Sequence, residues 1–198
     1  DEGDPFNELL NKKSINNIKS SGLFSSVEFE VIESKDKSRK IMDIFVEEKP
    51  SGEISAGAGV GTSGSTITLG VSEGNFNGKG ITTNTNINIG SDTINGGLSF
   101  VIPNYKYSNN TLNGDISRTV TDLLNTSGYK NSSNRVAFGT AYEQKQNLFF
   151  SPTITLNYEK LETSTIASSA LKKQAGDYYD MNLDYAIMYD QRNSSFKP

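Results

Sequence analysis

The chain has no cysteine and no histidine in its 198 residues. Their absence removes disulfides, thiolate nucleophiles, histidine-dependent triads and the usual zinc sites. The redox compartment stays open. No run of about 18 apolar residues occurs, which excludes a membrane-spanning helix. Hydrophobic residues make up only 34%, little for a packed core of this size. Charge is almost balanced, at −4, so no broad attraction to nucleic acid is expected. The opening "DEGDPFNE" carries no signal peptide. That opening and the abrupt close on "SSFKP" read as cuts through a larger protein. Low apolar content alone would suit a disordered chain. Apolar residues nevertheless recur at every second position, and Tyr and Phe are common, which disorder does not explain.

What is present falls into two parts with different periods. In the first, Asp4 is placed to cap a helix and Pro5 to enter its first turn. Phe6, Leu9 and Leu10 share a helical face, and Ser14 restarts a second short helix carrying Ile15 and Ile18. Gly22 suits a left-handed helix stop, and Leu23 and Phe24 follow as core plugs. The period then becomes two. Val27, Phe29 and Val31 alternate with Glu28 and Glu30, "SKDKSR" (residues 34–39) is a polar turn, and Met42, Ile44 and Val46 form the inner face of a second strand. This spells a small water-soluble α+β domain over residues 1–49, with room for a missing opening strand.

From residue 50 to 198 the pattern is β throughout. Ile54, Ala56, Ala58 and Val60 share one face; Ser55, Gly57, Gly59 and Gly61 share the other. Seven more alternating runs follow, centred near residues 69, 85, 98, 116, 139, 154 and 184. Several reach about 9–11 residues, the length a tilted strand needs to cross a bilayer. The polar face is mostly Asn, Gly, Ser and Thr, where a solvent-exposed sheet would carry more Lys and Glu. That combination predicts oily side chains toward lipid and small polar ones toward a wet barrel interior, rather than a soluble sandwich. Tyr and Phe near strand ends (Phe76, Tyr105, Tyr107, Tyr129, Phe149, Tyr158, Tyr178, Tyr189) suit interfacial girdles. Connections alternate between two ends. The two longest, "DLLNTSGYKNSS" and "KLETSTIASSALKKQAGD", fall at the end away from the first domain. Outer-membrane barrels have short periplasmic turns and longer extracellular loops, so this parity predicts a periplasmic first domain.

Four stretches then carry a family resemblance that spans nearly the whole chain. "GDPFNELLNKKSINNIKSSGLFSSVEFEV" resembles the last POTRA domain of the BamA-type outer-membrane protein assembly factors. "VEEKPSGEISAGAGVGTSG" is similar to that family's junction into the first barrel strand, with Ser51 where Thr is common. "SEGNFNGKG" is similar to its turn between strands 2 and 3, and "YDQRNSSFKP" to a later periplasmic turn. The resemblance implies a POTRA-like domain followed by about eight of sixteen antiparallel transmembrane β-barrel strands. Four earlier POTRA domains would precede Asp1, and the family's conserved loop motif would lie beyond Pro198. It implies a bacterial outer-membrane protein with its N-terminal domain in the periplasm. Its role would be to fold and insert other barrel proteins. Its partners would be unfolded outer-membrane clients, accessory lipoproteins and outer-membrane lipid.

A barrel closes by pairing its first and last strands, and a weak seam would accept a client strand by edge addition. Glycine weakens strands. The candidate seam strand is therefore Gly52, Glu53, Ile54, Ser55, Ala56, Gly57, Ala58, Gly59, Val60 and Gly61. Glycines fitting a crowded or curved wall would explain the same run; the resemblance favours the seam. The candidate periplasmic turn is Glu73, Gly74, Asn75, Phe76, Gly78 and Gly80. It lacks a P-loop's spacing and following helix. Asp115 with Arg118, and Asp180 with Asp184, form no catalytic case without histidine or clustered ligands. The aspartates read as interior charges. Arg118, by contrast, shares the lipid-facing parity of Ile116 and Val120, so either a bulge intervenes or it sits near the interface. No catalytic residue, metal or cofactor is expected. Other readings are a POTRA-barrel pore for polypeptide secretion or translocation, a barrel enzyme such as a lipase, and a soluble adhesive β-protein.

Overall fold

A computed structural model describes residues 5–34, 40–61 and 64–191. The expected Asp4 cap lies outside the described residues. So do most of "SKDKSR", part of the first barrel turn, and the stretch after Gln191. Two units are distinguished, one within residues 1–51 and the other spanning 52–191.

Among its described residues the first unit holds one helix, α1 (Glu8–Ser20), not two. Nothing in Lys12–Lys13–Ser14 breaks a helix, since neither Gly nor Pro intervenes. Asn7 caps it, accepting from the Leu9 and Leu10 backbone N–H at 2.9 and 3.2 Å. Lys12 bonds Glu8 at 2.8 Å across one turn. That hydrogen bond and the ammonium charge hold the Glu8 carboxyl below its ordinary value. After Ser21, Gly22 takes φ +72°, the left-handed stop its sequence position predicts. Ile15, only 3% exposed, anchors the helix, which packs on β1 (Phe24–Glu33). β2 (Lys40–Glu48) pairs with β1 antiparallel. Val27–Val46, Phe29–Ile44 and Val31–Met42 are cross-strand pairs on one face.

The second unit is one antiparallel sheet of eight strands in chain order. They are β3 (Gly52–Gly61), β4 (Gly64–Phe76), β5 (Ile81–Gly90), β6 (Thr93–Ile102), β7 (Thr111–Leu123), β8 (Tyr129–Lys145), β9 (Leu148–Thr163) and β10 (Gly176–Tyr189). A short helix α2 (Ser169–Gln174) sits between β9 and β10. No helix among the described residues is long and apolar enough to cross a membrane. The loop asymmetry is smaller than the sequence predicts. Strand β8 begins at Tyr129, so the β7–β8 connection shrinks to residues 124–128, and the eight-residue connection 103–110 lies at the end near Gly52. Only the segment 164–175 remains long at the far end. Loop composition in "YKNSS" gave way to pairing with β9, because a partner strand satisfies the backbone whatever the side chains.

Register settles which side chains share a face. One row runs Ile54, Val71, Thr85, Leu98, Ile116, Val136, Leu156, Met181 across all eight strands. The adjacent row runs Ser55, Gly70, Asn86, Gly97, Ser117, Arg135, Asn157, Asp180. The apolar side is the open one: Ile54, Ile116, Phe138, Ile154 and Leu156 are exposed, while Ala137 and Thr155 on the polar side are buried. A soluble sandwich would bury the oily rows, so that reading fails.

The apolar band crosses the sheet obliquely. Its run on β3 is Ile54–Val60, centred on Gly57; its run on β10 is Tyr179–Tyr189, centred on Asp184. The row through Gly57 meets β10 at Tyr178, six residues from that centre after seven strand-to-strand steps. About one residue (~3.3 Å) of slip per ~4.8 Å step corresponds to strands inclined by about 35° to the band normal.

Candidate functional site

Strand β3 is an edge. Its ten residues pair with β4 from Gly52–Glu73 to Gly61–Gly64, and no described strand lies on its other side. Ile54 and Val60 project outward at 83% and 89% exposure. The interior face carries Glu53 and Ser55, then only Gly57, Gly59 and Gly61. A Cβ added at any of these three glycines would meet nothing within 4 Å, and none has a positive φ. Among the described residues, no crowding demands them. Glycines elsewhere in the sheet are different. At Gly139 a Cβ would lie 2.6 Å from Thr153 Oγ1 and 2.8 Å from Asn113 Oδ1; at Gly114 it would lie 2.6 Å from the Phe100 ring. The apolar run is also short on β3. Ile54 to Val60 spans about 20 Å along the strand, whereas Tyr179 to Tyr189 spans about 33 Å.

The turn after β4 is built on Asn75. Its side chain accepts the Gly80 N–H at 2.7 Å, its carbonyl accepts the Gly78 N–H at 2.9 Å, and its own N–H donates to Glu73 Oε1 at 2.7 Å. Asn77, Gly78 and Gly80 all have positive φ. A bulge between Glu73 and Phe76 shifts the register here, and Phe76 stays exposed. The turn's polar groups are thus largely satisfied internally, and Gly74 lies within the bulge.

The interior face is stitched by short polar pairs. Thr68 Oγ1 donates to Asn88 Oδ1, Asn95 Nδ2 to Thr119 Oγ1, Ser133 Oγ to Asn157 Oδ1 and Asn131 Nδ2 to Glu159 Oε1, each at 2.8 Å. Asp115, Asp180 and Asp184 share this face, as their parity predicts. Asp115 is not joined to Arg118. Its partner is Arg135, twenty residues on, in a direct ion pair. Parity shows both facing the interior, but only the β7–β8 register brings them together.

Arg118 points outward. No register shift interrupts β7 on either side, so no bulge turns it inward. Its row reads Ile87, Gly96, Arg118, Asn134, Tyr158, Tyr179. Because the band is oblique, this row is apolar at β5, carries Arg118 on β7 with Val120 still beyond it, and reaches the aromatic boundary at β9. The Tyr158 and Tyr179 rings, 4.9 Å apart, mark that far boundary. Tyr142, Phe150 and Tyr185 (centroids 5.8 and 6.2 Å) mark the near one, with Tyr189 beyond. Tyr129, Phe149 and Tyr178 have interior parity and do not join a girdle.

An antiparallel sheet with an exposed oily face, a polar opposite face and aromatic bands is that of a β-barrel membrane protein. Residues 75–198 match the profile of the Omp85 superfamily domain, so the chain belongs to the Omp85 superfamily, a family of outer-membrane β-barrel proteins. Its fold is that of the BamA barrel. A crystal structure of BamA from Haemophilus ducreyi lacking POTRA domains 1–3 superposes with a TM-score of 0.70 at 18% identity, covering 95% of this chain. The chain spans 39% of that structure's length. No curated protein matches it.

Proposed function

We propose that this chain is the seam-bearing part of a factor that folds and inserts β-barrel proteins into the bacterial outer membrane. Strand β3 is the openable edge to which a client strand adds. The observation that carries this reading is the glycine run 57, 59 and 61 on an edge strand, where no neighbour requires it. Glycine lowers strand stability by entropy and lost packing, so the pairing is weak there and the backbone row stays available. The short apolar run on β3 adds to this, since a bilayer thinned beside the edge lowers the cost of moving a polar backbone through it. Family membership and the likeness to BamA support the same role.

The superposition covers more of the chain than the sheet unit alone. The helix and hairpin of the first unit are accordingly read as part of a POTRA-like domain in the periplasm. Unfolded clients and accessory lipoproteins would meet that side of the molecule, and the turn 73–80 would face it. No step here needs a catalytic residue, nucleotide or cofactor. Client folding and bilayer strain supply the energy.

The test uses the full-length protein. A disulfide engineered between β3 and the last barrel strand should abolish client insertion and restore it on reduction. Undiminished insertion with the bridge closed rejects the seam.

A further inference from the structure

The geometry points to a phosphate-binding site on the lipid-facing surface, formed by Arg118 and Asn134. These two residues are directly paired across β7 and β8, so their Cβ atoms stand about 4.5–5.5 Å apart. Both face outward, one row beyond Ile116 and Val136 and one row short of Val120 and Ser132. Three other outward polar groups nearby are engaged. Lys130 pairs with Asp122 at 3.2 Å, Lys160 with Glu162 at 2.8 Å, and the Tyr158 hydroxyl donates to Asp177 at 3.0 Å. The side chains of Arg118 and Asn134 have no hydrogen bond or ion pair among the described residues. A guanidinium and a carboxamide are thus held side by side, with seven N–H donors between them, at a depth where leaving donors bare is costly. Gly96 leaves the β6 side of Arg118 without a side chain, and Tyr158 walls the β9 side. An open-flanked fork of donors beside hydrocarbon fits a phosphate carried on an acyl-chain lipid, which a guanidinium grips bidentately.

The occupant is a glucosamine phosphate of the lipid A type. Arg118 lies at the sheet end remote from Gly52, and the orientation proposed above puts that end in the outer leaflet, where such phosphates sit. The site rests on that reading for its leaflet alone. Its test reads bound lipid and not client insertion, so the two can fail separately.

The full-length protein is reconstituted into phosphatidylcholine nanodiscs doped with lipid A, with lipid A stripped of its phosphates, or with phosphatidylglycerol. Co-purifying dopant is quantified by mass spectrometry, and folding is checked by heat-modifiable gel migration. Wild type should retain lipid A about tenfold over the stripped form, the scale of one charge-assisted bidentate contact. Arg118→Gln should lose that preference, and Asn134→Ala should weaken it several-fold. Arg118→Lys, which keeps the charge without the fork, should fall between. An unchanged preference in folded Arg118→Gln overturns the site. Should that variant not fold, an unchanged preference in Asn134→Ala does so. Equal retention of stripped lipid overturns it too, as does an Arg118-dependent preference for phosphatidylglycerol over lipid A.

Discussion

Gly128 shows how a single residue disciplines a long loop. It takes φ +80°, and a Cβ there would lie 2.5 Å from the Ala167 nitrogen. Its carbonyl accepts the Ser164 N–H at 2.8 Å, and Ser164 Oγ reaches Leu124 O at 3.3 Å. The segment 164–175 is therefore clipped sideways onto the turn 124–128, with Ala167 buried at the contact. Gly128→Val would meet both a strained φ and a clash, at a cost of about 1–3 kcal/mol. The expected outcome is an intact barrel with a released loop, seen as faster tryptic cleavage at Lys172 and Lys173. At this scale the sequence was readable where parity alone decides: Asp115, Asp180 and Asp184 face the interior as predicted. It was silent where register decides. Nothing local joins Asp115 to Arg135, and nothing local shows that Arg118 shares a row with two tyrosines.

Among the elements, β3 stands apart from its neighbours because no described residue crowds Gly57, Gly59 or Gly61. Gly57→Val with Gly59→Val meets open space, so the full-length barrel should still form. Its first strand should gain about 0.5–1 kcal/mol per site from removing glycine. Client insertion should slow while heat-modifiable folding is retained. Gly139→Val makes the contrast, since Thr153 and Asn113 already occupy the place of its side chain; that barrel should fold poorly. Insertion assays on reconstituted protein separate the two. All eight strands were visible in the alternation, because a sheet with one face in lipid and one in water must alternate. Their ends were less so. The residues 129–133 look like loop and are strand, since β9 supplies the partner. The helix was misjudged for a related reason. Ser14 resembles a cap in sequence, but Asn7 had already capped the turn and nothing downstream interrupts it.

At the scale of the whole sheet, the obliquity of the apolar band predicts a measurable angle. Polarised infrared spectroscopy of the full-length protein in oriented bilayers should report strands tilted by about 30–35°, as a slip of about one residue per strand requires. A value near zero would mean that the rows, and not the strands, lie obliquely to the membrane. This feature was latent in the sequence but unreadable from it. Each strand's oily run can be located alone, but its height relative to the next needs the pairing.

Strands β8 and β9 do not stop at the aromatic boundary. Past Tyr158 the hairpin continues as hydrogen-bonded ladder to Tyr129–Thr163, about 16 Å further along the strand at ~3.3 Å per residue. Such a parapet is stiff where a loop would sag. Over this arc of the rim the mouth stays propped, and the one long segment beside it is tethered along the wall instead of across the opening. Lys130, Lys160 and Glu162 stand on the outer side of this parapet, so their charges are held at a fixed height above the apolar band and belong to the membrane surface there, not to the lumen.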